Sequence, residues 1–161
     1  KRQVYGGFNT SLSWKGFDLS AIFAYSIGGY IYNRDITMIL HNGSLEGRDW
    51  STEILKRWTP DNRNTDVPAL STTTNNWNSA STRFLQNNSY MRLKNLTLSY
   101  NLPKQWISKL SLSSVQVYVQ GDNLFTIHRN QGLDPEQGIT GITYYRYPAM
   151  RTISGGINVS F

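Results

Sequence analysis

The stretch Gly6-Gly7-Phe8-Asn9-Thr10-Ser11-Leu12-Ser13-Trp14-Lys15-Gly16-Phe17-Asp18-Leu19-Ser20-Ala21-Ile22-Phe23-Ala24-Tyr25-Ser26-Ile27 decides the fold. Up to Trp14 the even positions carry Gly6, Phe8, Thr10, Leu12 and Trp14, and the odd ones Gly7, Asn9, Ser11 and Ser13. A repeat of two is the period of a strand, whose successive side chains point to opposite faces. Lys15-Gly16 supplies a tight turn. The alternation then resumes with Phe17, Leu19, Ala21, Phe23, Tyr25 and Ile27 on one face and Asp18, Ser20, Ala24 and Ser26 on the other, with Ile22 out of phase. Two long alternating runs across a two-residue turn predict a β-hairpin.

The same period returns further along. Leu96, Leu98, Tyr100 and Leu102 share one face, with Met91 and Leu93 out of phase, which predicts a β-bulge near Asn95. Pro103 ends that strand, and residues 104–113 read as a turn with one helical turn at Trp106–Leu110. Val115, Val117 and Val119 oppose Gln116, Tyr118 and Gln120. In the last strand Ile153, Gly155, Ile157, Val159 and Phe161 oppose Thr152, Ser154, Gly156, Asn158 and Ser160. Between these runs alternation is lost over residues 33–88 and 128–149. The first gap holds one helical stripe, Trp50, Ile54 or Leu55, and Trp58, which predicts a short helix from Glu46 to Trp58 stopped by Pro60. A 55-residue connection far exceeds ordinary loop length, so it is functional or packed on something.

Five strands of 10 to 14 residues exceed the five or six usual in globular sheets. Apolar side chains alternating with Ser, Asn, Thr and Gln over such lengths match a membrane barrel, with lipid outside and water inside. Short turns at 15–16 and 103–113 alternate with the two long loops, the asymmetry of an outer-membrane barrel. Trp14, Phe17, Tyr30, Tyr32, Tyr100, Phe125 and Phe161 near strand ends suit interfacial girdles. The predicted class is all-β: an antiparallel transmembrane β-barrel segment of about five long strands, open as a fragment, with long extracellular loops. The alternative at this stage is a soluble secreted carbohydrate-binding β-sandwich, whose core would use the same alternation.

Composition supports this. Charged residues are only 16% of the 161, against roughly 25% in ordinary soluble domains, while aromatics reach 13%. Coiled coils and acidic disordered tails are excluded. No run approaches the 18 apolar residues of a transmembrane helix. There is no cysteine, hence no disulfide framework and no thiolate metal site. The net charge of +6 comes from scattered basic residues; only Lys1-Arg2 and Lys56-Arg57 are adjacent, so a nucleic-acid partner is not expected.

Little in the chain suggests chemistry. His41 and His128 lie far apart with no paired metal spacing, and no metal or cofactor is expected. Asp61-x-x-Asn64-x-Asp66 lacks the glycine and closing glutamate of a calcium loop and reads as a turn. Asp134-Pro135-Glu136 offers the carboxylate pair of a glycoside hydrolase, but in a loop it reads as a turn. No G-x-S-x-G elbow occurs. No enzyme is expected. Trp50, Trp58, Trp77, Tyr144 and Tyr145 in the long loops are candidate contacts for sugar rings or a partner protein, since flat aromatic faces suit both; packing of the loop on itself is the competing reading.

Ser81-Thr82-Arg83-Phe84-Leu85, followed by Tyr90-Met91-Arg92-Leu93-Lys94-Asn95-Leu96-Thr97-Leu98-Ser99-Tyr100-Asn101-Leu102-Pro103, closely resembles the late barrel segment of SusC/RagA-type TonB-dependent transporters. Val117-Tyr118-Val119-Gln120-Gly121-Asp122-Asn123-Leu124-Phe125-Thr126 is similar to the next strand of that family. Gly132-Leu133-Asp134-Pro135-Glu136, Tyr147-Pro148, Arg151-Thr152, Trp58-Thr59-Pro60-Asp61-Asn62 and the ending Gly156-Ile157-Asn158-Val159-Ser160-Phe161 fit as well. The resemblance implies that residues 1–161 are the C-terminal part of the barrel domain of a longer chain whose plug and TonB-contacting region lie upstream. It further implies import of glycans, oligosaccharides or peptides across the outer membrane of a Bacteroidota-type bacterium. The implied partners are a SusD-like lipoprotein lid, the TonB complex acting through the absent plug, outer-membrane lipid, and the barrel-assembly machinery, which would read Phe161 as its signal. A passive porin-like barrel is the other membrane reading. Five strands cannot close a barrel, so the sequence also predicts an open sheet with two unpaired edges, each costly in lipid.

Overall fold

The computed structural model describes residues 4–41, 43, 45, 47–71, 79–108, 112–130, 132, 134–136, 141–143 and 146–161. They divide into two units, one of residues 1–29, 88–136 and 147–161, the other of residues 30–87 and 137–146.

The first unit is a five-stranded antiparallel sheet. Its strands are β1 (Val4–Trp14) and β2 (Phe17–Ile27), then β5 (Tyr90–Asn101), β6 (Ser114–His128) and β8 (Thr152–Ser160), paired in the order β1-β2-β5-β6-β8. Each strand pairs with the next strand of this sheet along the chain, so the sheet is an up-and-down meander with β1 and β8 at its open edges. Trp14 pairs with Phe17 across the turn. Lys15 and Gly16 both take positive φ, 47° and 87°, the two-residue hairpin turn whose twist matches that of its strands.

The bulge expected near Asn95 is present. Ile22 pairs with Asn95 and Phe23 with Leu93, leaving Lys94 as the extra residue. On the other side Asn95 faces Asp122 and Leu93 faces Phe125, so Lys94 stands against both Asn123 and Leu124. Asn123 absorbs the change with φ of 52°, a conformation asparagine tolerates better than most residues. β6 runs over 15 residues and ends at His128, where the second long loop was expected to begin. Of the helical turn expected at Trp106–Leu110, Trp106 and Ile107 lie in α2 (Lys104–Ile107). Pro103 sets its start, and its carbonyl accepts from the Trp106 N–H; residues 109–111 lie outside the described residues.

Glycine and tyrosine face each other twice across the sheet. Gly156 pairs with Tyr118, and a Cβ at Gly156 would lie 2.7 Å from the Tyr118 hydroxyl oxygen. Gly6 pairs with Tyr25, and the corresponding distance is 3.0 Å. Each ring covers the backbone its partner leaves bare, a known device for supporting glycine within a sheet.

The second unit carries more structure than the single short helix the sequence predicted there. A three-stranded sheet has the order β4-β3-β7, with β3 at Tyr30–Asn33, β4 at Leu85–Asn87 and β7 at Ile142–Thr143. β3 pairs antiparallel with β4 and parallel with β7. Asn33 then caps α1 (Arg34–Ile39), its Oδ1 accepting from the Ile36 N–H at 3.1 Å. The helix expected at 46–58 is a 3-10 turn over Thr52–Lys56. Ser51, capping the Glu53 N–H, starts it, and Arg57 ends it in an extended conformation, so Trp50 and Trp58 both fall outside.

Candidate functional site: the two faces of the sheet

Strand register assigns every side chain of the meander to a face. On one face the rows read Phe8–Phe23–Leu93–Phe125, Leu12–Leu19–Leu98–Val119 and Trp14–Phe17–Tyr100–Val117–Ile157. Apart from Thr10, in the row Thr10–Ala21–Leu96–Gly121–Ile153, this face is apolar. In a β-sandwich it would be covered by a second layer. Instead Phe8, Leu19, Leu98 and Ile157 are 47%, 40%, 42% and 64% exposed. Val4, Ile27, Val119, Phe125, Ile127 and Ile153 are exposed as well. So large an uncovered apolar surface is foreign to a water-soluble monomer and normal against hydrocarbon.

The opposite face is polar and largely satisfies itself. Asn158 Nδ2 donates to Gln116 Oε1 (3.2 Å), Gln116 Nε2 to Asn101 Oδ1 (3.1 Å), and Asn101 Nδ2 to Asp18 Oδ2 (2.7 Å). Ser13 Oγ donates to the other Asp18 oxygen. These bonds form one side-chain chain across all five strands, near the short-turn end. A second cluster lies further up, where Asn95 and Gln120 donate to the Asp122 carboxylate at 2.7 and 3.2–3.3 Å.

Near the long-loop end this face holds the most buried charged group of the sheet. Arg92 is 3% exposed. Its Nε donates to Thr126 Oγ1 (2.8 Å), Nη1 to Glu136 Oε2 (2.9 Å) and Nη2 to Asp134 Oδ1 (2.5 Å). Lys94 donates to the same Glu136 oxygen. Asp134 also accepts the Glu136 N–H at 2.9 Å and the Ala149 N–H at 2.7 Å. One carboxylate therefore ties together the wall, the outgoing limb of the 128–149 loop and its returning limb. Burial acts to raise the Asp134 pKa, but the Ala149 N–H, the Arg92 guanidinium and the Glu136 N–H outweigh it and hold the carboxyl below its usual value. Asp134 and Glu136 are thus an ion-pair clamp, with their acceptor capacity directed at cations and amides. Among the described residues no group of three or more His, Asp or Glu is placed to hold a metal ion. In the sequence Asp134-Pro135-Glu136 read as a turn, and Arg92 and Lys94 stood only within the strand motif; what could have joined them was the pairing of a lone arginine at a polar-face position with the loop's two carboxylates.

The aromatic candidates separate. Trp50 lies against His41, ring centroids 4.7 Å apart, and remains partly exposed. An open hollow lined by Asp35, Met38, Ile39, Gly47, Arg48 and Asp49 adjoins it in sequence. Trp58 is partly exposed and its N–H donates to the Val67 carbonyl at 2.8 Å. Its loop, 59–66, is the turn expected there: Asn62 Nδ2 donates to the Lys56 and Arg57 carbonyls, and Thr65 Oγ1 to that of Lys56. Trp77, Tyr144 and Tyr145 lie outside the described residues. Phe161 follows β8 and is 91% exposed.

One face built for hydrocarbon and one for water, on long meandering strands, define a wall segment of a membrane-spanning antiparallel β-barrel. The chain is 35% identical to TonB-dependent receptor P3 and 30% identical to TonB-dependent receptor P26 of Formosa agariphila, each over 96% of its length. It is 27% identical to TonB-dependent receptor SusC of Bacteroides thetaiotaomicron over 98%. It spans about a sixth of those relatives, 15–16% of their lengths. Among solved structures it matches the RagAB peptide importer in the closed-closed and open-open states with TM-scores of 0.83 and 0.86, at 35% identity, covering 98% of this chain and 17% of that one. No family model matches. The chain is homologous, over nearly its whole length, to the SusC/RagA-type TonB-dependent transporters.

Proposed function

We propose that residues 1–161 are wall, at the C-terminal side of the barrel domain, of a TonB-dependent outer-membrane importer of oligosaccharides, glycans or peptides. The segment binds no cofactor and performs no catalytic step. Its strands separate lipid from lumen, and its two long connections contribute to the extracellular vestibule. The observation that carries this reading is the pair of opposed faces: Phe8, Leu19, Leu98 and Ile157 uncovered on one side, and a hydrogen-bonded polar chain from Asn158 to Ser13 on the other.

An energised importer is supported over a passive porin by relatives bearing the TonB-dependent name. A SusD-like lipoprotein lid, TonB action through an upstream plug, and lid or substrate contacts by Trp50, Trp58, Trp77, Tyr144 and Tyr145 belong to the same reading. The barrel-assembly role of Phe161 is supported by its phase, since it continues the apolar set Ile153, Ile157 and Val159. The test is the full-length protein in its host. It should fractionate with the outer membrane and migrate heat-modifiably in detergent gels. Growth on its oligosaccharide or peptide should require both it and TonB. Uptake that persists without TonB would leave only the porin reading.

A further inference from the structure

We propose that the short-turn rim of the five-stranded sheet binds the headgroups of anionic phospholipids, with Lys15 and Lys104 as the cations and Trp14 and Trp106 as interfacial anchors. This rests on the barrel reading above. The rim is where the apolar face ends, and it ends in rings: Trp14 pairs with Phe17, and the Phe17 and Tyr100 ring centroids lie 4.5 Å apart. Indole and phenol rings at the edge of an apolar band are suited to the headgroup level of a bilayer.

Two elements bring cations to that level, the β1–β2 turn with Lys15 and α2 with Lys104. The Asn101 N–H donates to the Gly16 carbonyl at 2.8 Å, so the β1–β2 turn abuts the end of β5, and Lys104 begins α2 three residues beyond Asn101. Lys15 Nζ sits 4.9 Å from the Trp14 ring centroid, which holds the ammonium over the aromatic rim. Ile107 is buried and pins α2, leaving Trp106 65% exposed. The nearby acid, Asp18, is engaged by Ser13 and Asn101 on the polar face, away from the Trp14–Phe17 row. Among the described residues neither lysine makes an ion pair. Exposed ammonium groups beside exposed indoles, at the margin of a hydrocarbon-facing surface, fit a phosphate diester carrying acyl chains. Each such lysine is worth about fivefold in attraction to an anionic surface.

The full-length protein, eluted from mixed micelles holding equal phosphatidylglycerol and phosphatidylcholine, would be examined by native mass spectrometry. The wild type should retain phosphatidylglycerol several-fold over phosphatidylcholine. The double variant Lys15→Asn/Lys104→Gln, in which asparagine keeps the positive φ accessible, should bring the ratio close to one. Lys56→Gln, in the other unit, should leave it unchanged. Heat-modifiable migration confirms that each variant is folded. A folded wild type without preference, or a double variant that keeps it, overturns the lipid surface and leaves the barrel reading standing. A full-length protein soluble without detergent overturns both.

Discussion

Removing the Arg92 guanidinium should open the base of the 128–149 loop while leaving the sheet intact. Arg92→Met preserves most of the aliphatic stem and deletes three charge-assisted or neutral hydrogen bonds, to Thr126, Asp134 and Glu136. Breaking a buried ion pair by deleting one partner costs roughly 3–5 kcal/mol, because the other charge stays behind unpaired. Here the full figure applies only to the Asp134 side, whose side chain is 8% exposed; Glu136 is 37% exposed and regains water. Asp134 also keeps its two backbone donors. A net loss of about 2–3 kcal/mol follows, which corresponds to local opening about 30- to 160-fold more frequent. The amide hydrogens of Glu136 and Ala149, both bonded to Asp134, report that opening directly. Hydrogen exchange on the full-length protein in detergent should accelerate at these two positions by that factor, with protection across the Leu98–Val119 pair unchanged. Lys94→Gln, which touches only the exposed carboxylate, should give less than about fivefold. If Arg92→Met leaves Glu136 and Ala149 protected, or moves them no more than Lys94→Gln does, the clamp is not what closes the loop.

Acid should act on the same point. The Asp134 carboxyl is held below its ordinary value of 3.8, so its contribution is fully present above that pH and is lost as the pH falls below it; the protection factor at Ala149, the measured rate divided into the intrinsic rate at each pH, should stay flat from neutrality to about pH 4 and fall beneath it, and Asp134→Asn should abolish the fall. A charge placed on the lipid side should be far costlier than one placed on the lumen side. Leu98→Lys should lose about 2–4 kcal/mol of folding stability in lipid if it sits near the bilayer midplane, and the adjacent Thr97→Lys under about 1, measured by urea titration of the refolded full-length barrel; equal costs would refute the face assignment. Gly156→Val should push the Tyr118 ring off the backbone it covers and cost on the order of 1 kcal/mol, with Tyr118→Ala restoring no stability when added to it; a neutral Gly156→Val in the same titration would count against the pairing.

The barrel strands were legible because each is long enough to repeat its period several times. Eleven residues of β2 give five or six alternations, and lipid demands that nearly all be obeyed. The elements of the second unit were not. β3, β4 and β7 hold four, three and two residues, too few to display any period, and the β3–β7 pair joins residues more than a hundred positions apart. The 46–58 helix was overread for a related reason. Trp50, Ile54 and Trp58 do recur at helical spacing, but Ser51 accepts from the Glu53 N–H and only five residues wind. The Asp134–Glu136 pair was legible as a turn and not as a clamp, since its partners stand 42 and 44 residues away on a different strand.

The bulge links the legible part to the illegible one. An unbroken β5 could keep Leu96, Leu98 and Tyr100 toward lipid only by turning Met91 and Leu93 to the lumen and Arg92 to hydrocarbon. One extra residue resets the phase, so that Phe23 and Phe125 flank Leu93 while Ala21 and Gly121 flank Leu96, all on the same apolar face. The reset is what delivers Arg92 to the polar side beside Thr126, and it turns Lys94 the same way, within reach of Glu136. β6 answers with the positive φ of Asn123, whose Nδ2 then donates to the Met150 carbonyl on the returning limb of the loop. The irregularity that the hydrophobic pattern marked as a fault in one strand is therefore the feature that lets a lipid-facing wall hold a charged clamp on its other side. A β5 in perfect alternation would have had the better strand and no means of fastening the loop.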